Sequence, residues 1–270
     1  MAMTRREVIT SGVAAAATGR PETVLNQAAD RRYDTVRYEL LRPEEVKAIR
    51  EHAPIAYMVA GSIEWHGLHL PLGTDGLKAH AVCCEAALRY GGVVLPTVFV
   101  GMVGGWGPQG WTNYGMGLSD QAAFDAVTLA LARGLVAGGW KVIVGVTGHD
   151  VREHVDSMRK AIEAATNGKD ARGFACMEGE MWRAGGAIPF GMDHAAAWET
   201  SAIMHAYPGR ADLDALRRRG LATADDLQMS GPEGIGGKTP LKHASAEVGK
   251  RIVEQMGDLI GARAKGMLPQ

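Results

Sequence analysis

The sequence predicts an α/β protein, a three-layer sandwich in which helices cover both faces of a mainly parallel sheet. Short apolar runs at 55–60 and 142–147 are typical of buried strands. Longer segments with helical patterns lie between these runs, as expected when parallel strands are joined by helices. The 36 glycines and the 46% hydrophobic share suit a loop-rich α/β chain with a sizeable core.

Local signals justify the elements along the chain. Pro43 lies near the first turn of a helix, and Gly91 with Gly92 closes the next one. Pro96 interrupts the second strand, and Ser119 is a plausible cap for the helix after it. The expected strands are 55–60, 93–100, 142–147 and 173–177, and the expected helices are 43–52, 75–90, 119–137, 151–165, 193–207 and 244–265.

Length and composition limit the domain organisation and the partners. We expect one domain over 34–270 and treat 1–33 as a separate N-terminal segment. The long Gly/Pro-rich loop at 221–243 is of a kind that is often functional. A formal net charge of −1 gives no reason to expect a nucleic acid or an anionic membrane surface as a partner. No apolar run approaches the length of a membrane span, and the three cysteines do not form a disulfide or zinc pattern.

The N-terminal segment has two interpretations. Arg5 and Arg6 precede an alanine-rich stretch at 13–17, which resembles a twin-arginine export signal. The alternative is an ordinary short helix or a disordered tail. A cytoplasmic and a periplasmic location therefore both stay open.

Residues 61–75 carry the clearest chemical signal, with two carboxylates and two imidazoles directly after an apolar run. Burying an unpartnered carboxylate is costly, whereas a divalent cation satisfies several at once. Glu64 and His66 are two apart and can point the same way, and the glycines and proline can turn Asp75 back to them. Such ligands suit zinc, manganese or iron better than calcium. The plainer alternative is that Asp75 caps a helix and His69 is a satisfied buried histidine.

Further polar residues follow the other expected strands. His149 and Asp150 come after 142–147, and Glu178 and Glu180 come after the strand that ends at 177. Parallel sheets bind ligands beyond the carboxyl ends of their strands. The sequence therefore predicts a site at that edge of the sheet.

The stretch 61–75 reads Gly-Ser-Ile-Glu-Trp-His-Gly-Leu-His-Leu-Pro-Leu-Gly-Thr-Asp. It resembles the signature of the creatininase (creatinine amidohydrolase) family and matches every fixed position of it. Gly148-His149 is what remains of a second family motif, and 193–201 is similar to a third, His-Ala-Gly-x-x-Glu-Thr-Ser. The stretch 244–250 resembles the C-terminal Ala-x-Ala-Glu-x-Gly. The resemblance implies a creatininase-like fold and a homohexamer.

The resemblance also implies a ligand set. It assigns Glu64 and His149 to one metal, His66 to another and Asp75 to both, with one or two Zn²⁺ or Mn²⁺ ions per subunit and Fe²⁺ as an option. His194 and Glu199 are expected to be catalytic, with His194 as the acid/base group. Val151 stands where creatininase proper has a metal-binding Glu. The possible substitutes are Asp150, Glu153, His154, Glu178 and Glu180, of which Glu153 and Glu180 are favoured, or one site is empty.

The expected function is metal-dependent hydrolysis of a small cyclic amide, because a bound cation acidifies water and polarises a carbonyl. Asp150, Trp106, Trp111 and Phe190 are the expected substrate contacts. Two alternatives stay open. One is cleavage of a C–C or lactone bond in a keto-cyclitol or sugar-derived ring, and the other is a metal-binding relic without turnover.

Overall fold

The computed structural model describes residues 31–101, 120–180, 193–221 and 225–269. Within these ranges, a four-stranded parallel sheet has the order β2-β1-β3-β4. Its strands are β1 (Ile55–Ala60), β2 (Val93–Val94), β3 (Val142–Thr147) and β4 (Arg172–Met177). An antiparallel hairpin, β5 (Asp226–Leu227) and β6 (Gly237–Lys238), lies outside this sheet.

Eight α-helices lie wholly within the described ranges, and residues 178–180 are also helical. They are α1 (Pro43–His52), α2 (Thr74–Tyr90), α3 (Gln121–Ala137), α4 (Arg152–Thr166), α5 (Ala197–Ala206), α6 (Leu213–Arg218), α7 (Pro240–His243) and α8 (Ala246–Gly266). Two short 3-10 helices, Arg31–Thr35 and Tyr38–Leu40, precede them. None of the described helices is long and apolar enough to cross a bilayer.

Helices cover both faces of the sheet, and the alternation of side chains along β1 shows how. Ile55 and Tyr57 point into a core formed with α2, α5 and α8, whereas Ala56 and Met58 point into a second core with α3 and α4. All six residues of β1 are buried, as expected for a central parallel strand. The predicted α/β fold is therefore confirmed.

Most of the predicted elements agree with the structure, and the differences have local causes. The second strand is only Val93–Val94, because Pro96 has no N–H for the ladder and the chain rejoins β1 only through a bridge at Val98. The cap of α3 is Asp120, whose carboxylate accepts the N–H of Ala123, and Ser119 lies outside the described residues.

The helix predicted at 193–207 begins at Ala197 instead. Ala195 has a φ of 54°, which a right-handed helix does not allow. Asp193 lies before this kink, and its carboxylate accepts the N–H groups of Trp198 and Glu199. The segment that carries His194 is thus an irregular entry to α5.

Candidate functional site

The predicted polar residues meet at the carboxyl ends of the strands. Glu64 and His66 lie in the segment after β1, His149 lies two residues after β3, and Asp75 lies in the first turn of α2. All four side chains are buried. Because the parallel strands end at one edge of the sheet, segments distant in sequence converge there.

The first group of possible ligands, called the first triad, is Glu64, Asp75 and His149. His149 Nδ1 lies 3.2 Å from Glu64 Oε1 and 3.0 Å from Asp75 Oδ2. The three ligand atoms lie within 4.8 Å of one another. This triad brings together three residues that the sequence predicts as ligands of one metal.

The second triad is His66, Asp75 and Glu199. His66 Nε2 lies 3.2 Å from Asp75 Oδ1 and 3.5 Å from Glu199 Oε2. Asp75 therefore offers one carboxylate oxygen to each triad. The side chain that completes the second triad is Glu199 on α5, which the sequence analysis assigned to catalysis.

The geometry of both triads fits a transition metal. Ligand bonds of about 2.0–2.1 Å in a tetrahedron place the ligand atoms about 3.3 Å apart. The histidine–carboxylate separations within the triads, 3.0 to 3.5 Å, are close to this value. In addition, His66 Nε2 and Asp75 Oδ2 are buried atoms that form no hydrogen bond of good geometry within the described part of the chain, although each lies beside an ion-pair partner of its triad. A divalent cation is a chemically suitable partner for these atoms.

The electrostatics of the triads favour positive charge. Burial lowers the pKa of His149, but Asp75 and Glu64 outweigh it and raise the pKa to about 10. Burial likewise opposes the charge on His66, while Asp75, Glu199 and Glu64 raise its pKa to about 9. The carboxylates thus attract protons in the absence of a metal, and a divalent cation would replace those protons.

His194 lies beside both triads and lines the cavity above them. Its Nε2 lies 2.9 Å from the carbonyl oxygen of Trp65, and since a carbonyl only accepts, this nitrogen carries the proton. Its Nδ1 is then unprotonated and lies 3.8 Å from Glu64 Oε1. Burial and the neighbouring His66 lower the pKa of His194. A neutral imidazole with a free nitrogen is suited to accept a proton.

Lys78 is a functional candidate that the sequence analysis missed. Its Nζ lies 2.7 Å from Glu199 Oε1, 3.0 Å from Glu178 Oε2 and 3.8 Å from Asp75 Oδ1. Burial lowers the pKa of Lys78, but Glu178 and Glu199 outweigh it and raise the pKa well above its usual value. The available signal was its spacing of three residues from Asp75, which places both on one face of a helix.

Two other acidic residues surround the triads. Asp150 lines the cavity, and its Oδ1 accepts the N–H of Gly179 at 3.3 Å. Burial raises the pKa of Asp150, and burial raises the pKa of Glu178 to about 7 despite its ion pair with Lys78. Asp150 thus lies at the cavity, and its role as a substrate contact stays a prediction.

The structure does not bring Glu180 to the triads. Both of its carboxylate oxygens lie 2.7 Å from Arg159 Nη2, and the pair lines a different groove beside β4. The expectation that Glu180 is a metal ligand is therefore corrected. In the turn after β4, Glu178 points toward Lys78, whereas Glu180 points toward Arg159. Three other expected contacts, Trp106, Trp111 and Phe190, lie outside the described residues.

The cavity above the triads has a volume of about 540 Å³. The β5–β6 hairpin lines the cavity through Gln228, Met229 and Gly236, and Asp150 and Val151 also line it. A cavity of this size accommodates a small molecule.

The family model described as "Creatininase: Creatinine amidohydrolase" matches residues 39–263. The chain belongs to the creatininase family. A search of curated proteins gave no match. Among solved structures, the chain is similar to a creatinine amidohydrolase (creatininase), a Zn–Zn form of a mutant creatininase and a creatininase described with Mn. Each is 22% identical and covers 87% of this chain and 99% of its own, with TM-scores of 0.68, 0.67 and 0.67 respectively. At this identity, the likeness to solved structures establishes the creatininase fold.

Proposed function

We propose that this creatininase-family chain is a metal-dependent hydrolase that opens a small cyclic amide at its C–N bond. The observation that carries the proposal is Asp75, whose two carboxylate oxygens face two buried triads at the carboxyl edge of the sheet. A bridging carboxylate of this kind is suited to a centre for one or two metals.

The proposed ligands are Glu64, Asp75 and His149 for one cation and His66, Asp75 and Glu199 for a second. Zn²⁺ or Mn²⁺ suits this mixture of imidazole and carboxylate ligands. When bound, such an ion supplies an acidified water and a Lewis acid for the amide carbonyl. Glu199 is thus proposed as a ligand in place of the catalytic role expected from its motif.

His194 is the proposed acid/base group. Its Nδ1 is free to take a proton during attack on the carbonyl and to return it to the leaving ring nitrogen. The hydrogen bond from Nε2 to the carbonyl oxygen of Trp65 fixes the tautomer that this role requires. Asp150 lies at the cavity wall, where its carboxylate can bind an N–H of a cyclic amide.

The test is hydrolysis of a panel of lactams, hydantoins and keto-cyclitols by the protein loaded with Zn²⁺ or Mn²⁺. A ring-opened amino acid is the expected product. Glu64→Gln should abolish turnover, and Glu180→Gln is the matched control because its carboxylate is paired with Arg159 away from the triads. The proposal fails if the loaded protein cleaves no cyclic amide, or if Glu64→Gln turns over at the rate of the control.

The panel also separates the two alternatives. A ring-opened keto acid from a keto-cyclitol would identify a C–C bond hydrolase that uses the same centre. Stoichiometric metal binding without turnover of any compound would identify a relic. The homohexamer and the export signal stay predictions, which light scattering of the purified protein and cell fractionation address.

A further inference from the structure

The two triads differ in one neighbour, the ammonium of Lys78. Lys78 lies one helical turn after Asp75 on α2, so both side chains project from the same face. Its Nζ contacts Glu199 Oε1 at 2.7 Å, and of the two oxygens of Asp75 it approaches Oδ1, the one that faces His66. The ammonium therefore lies against two of the three ligands of the second triad.

Glu64 and His149, the two ligands that belong to the first triad alone, have no such neighbour among the described residues. The ion pairs of Glu64 there are all with histidines, namely His66, His149 and His194. Asp75 Oδ2, the oxygen of the first triad, faces His149. The fixed positive charge is thus placed on one side of the shared carboxylate.

A second divalent cation would be repelled at this position. Like charges a few ångströms apart repel strongly in a buried site, where little water screens them. The ammonium also neutralises Glu199, which reduces the attraction that this carboxylate exerts on a metal. The side chain of Lys78 is only 12% exposed and is held from its other side by Glu178, so it is not free to move aside into water.

We propose that this chain binds one divalent cation tightly, at Glu64, Asp75 and His149, and that the Lys78 ammonium is the second positive charge of the centre. This inference rests on the metal site of the proposed function. Because Lys78 also lines the cavity, its ammonium is placed to donate a hydrogen bond to a substrate oxygen. The centre then combines one metal with one lysine at the two triads that share Asp75.

The test is metal stoichiometry, measured on the full chain after stripping with a chelator and titration with Mn²⁺ in equilibrium dialysis. Wild type should retain one equivalent. Lys78→Met should take up a second equivalent with an affinity raised by about tenfold or more, because the repulsion is gone. Lys141→Met, which removes an exposed lysine paired with Asp170, is the matched control and should retain one.

Removing Lys78 alone leaves Glu178 and Glu199 as uncompensated buried acids, and this variant can fail to fold. The double variant Lys78→Met/Glu178→Gln removes the ion pair as a unit and should also bind two equivalents. A spectroscopic measurement on the wild-type protein needs neither variant. The electron paramagnetic resonance spectrum of the Mn²⁺-saturated wild-type protein should be that of isolated ions, without spin coupling.

The outcomes separate this inference from the proposed function. Two equivalents of similar affinity in wild type, or a spin-coupled pair, overturn the inference and leave the metal-dependent hydrolase intact. An unchanged single equivalent in the folded double variant also overturns it, because another cause would then exclude the second ion. If neither wild type nor variants bind any metal, both proposals fail.

Discussion

The two triads share Asp75 and are both buried, but they differ in their charged neighbours. Among the described residues, Glu64 of the first triad pairs with histidines, whereas Glu199 of the second triad pairs with Lys78. The ligand atoms are similarly spaced in both, so geometry alone would assign each of them a metal. The comparison shows that the residues around a set of ligands help to determine the net charge of the site. Lys78, one helical turn after Asp75, gives the second triad a positive neighbour, and we expect this to lower its affinity for a cation.

The largest expected effect is that of Asp75→Asn, which removes the residue that the triads have in common. Both triads should lose their affinity for Mn²⁺, and turnover should fall by more than about a hundredfold, since even outer partners of a ligand contribute 10–100-fold. Metal analysis together with the hydrolysis assay measures this. If Asp75→Asn still bound one equivalent of Mn²⁺ tightly, at least one triad would not depend on Asp75, and the comparison would be wrong.

The next effect separates the triads. Glu199→Gln should leave the tight equivalent of the first triad unchanged, while turnover falls by about 10–100-fold because the partner that positions Lys78 is weakened. Equilibrium dialysis and the assay on the same sample measure both quantities. Loss of the tight equivalent in this variant would show that the stronger site is the second triad.

A third effect concerns histidines and pH. His80 lies on the same helix as Asp75, but burial and Arg37 lower its pKa to about 4, whereas the carboxylates raise those of His66 and His149. Because the folded pKa of His80 lies below the unfolded value of about 6.5, its contribution to stability is present above pH 6.5 and is lost as pH falls through 4.

His80→Gln should therefore reduce the loss of stability between pH 6.5 and pH 4 by an amount of the order of 2 kcal/mol. Urea unfolding at several pH values measures it, and the exposed His52→Gln is the control. An identical pH dependence in both variants would mean that His80 is not held neutral. His80 is buried without the triad carboxylates, so comparing it with His66 and His149 shows how much those carboxylates raise the pKa of a buried imidazole.

The smallest effect is expected for Glu180→Gln. Its ion pair with Arg159 is about one-third exposed on both sides, and such pairs contribute less than about 1 kcal/mol. The metal content should not change, because this carboxylate lies apart from the triads. A lost equivalent of metal in this variant would contradict the placement of Glu180 and extend the centre toward β4.

The sequence predicts the first triad well because its signal is local. Glu64 and Asp75 lie within one short stretch, and the apolar run of β3 indicates where His149 meets them. The two strands that anchor these residues were predicted with their observed bounds. Periodicity and strand ends therefore indicate where these residues converge, and the family resemblance supplies their assignment as ligands of one metal.

The second triad is harder to predict because it depends on how α5 packs. Glu199 reaches His66 only because the kink at Ala195 turns the chain before the helix begins, and its Oε2 accepts the N–H of Ala195 at 2.6 Å. The only sequence signal for Lys78 was its spacing of three residues from Asp75, and a lysine in a helix is usually at the surface. Its partners come from two other segments of the chain, which only the packed fold brings together.

Two glycines allow neighbouring segments to pack closely against the backbone at Asp75. A methyl group on Gly148 would come within 2.1 Å of the carbonyl oxygen of Asp75, and one on Gly61 would come within 2.3 Å of the backbone nitrogen of Gly76. The main chain around Asp75 is thus packed closely between the segments that follow β1 and β3. At the proposed metal site, ions of different radius would then be accommodated by rotation of side chains, so metal selectivity should change with neighbouring side chains while the backbone stays in place.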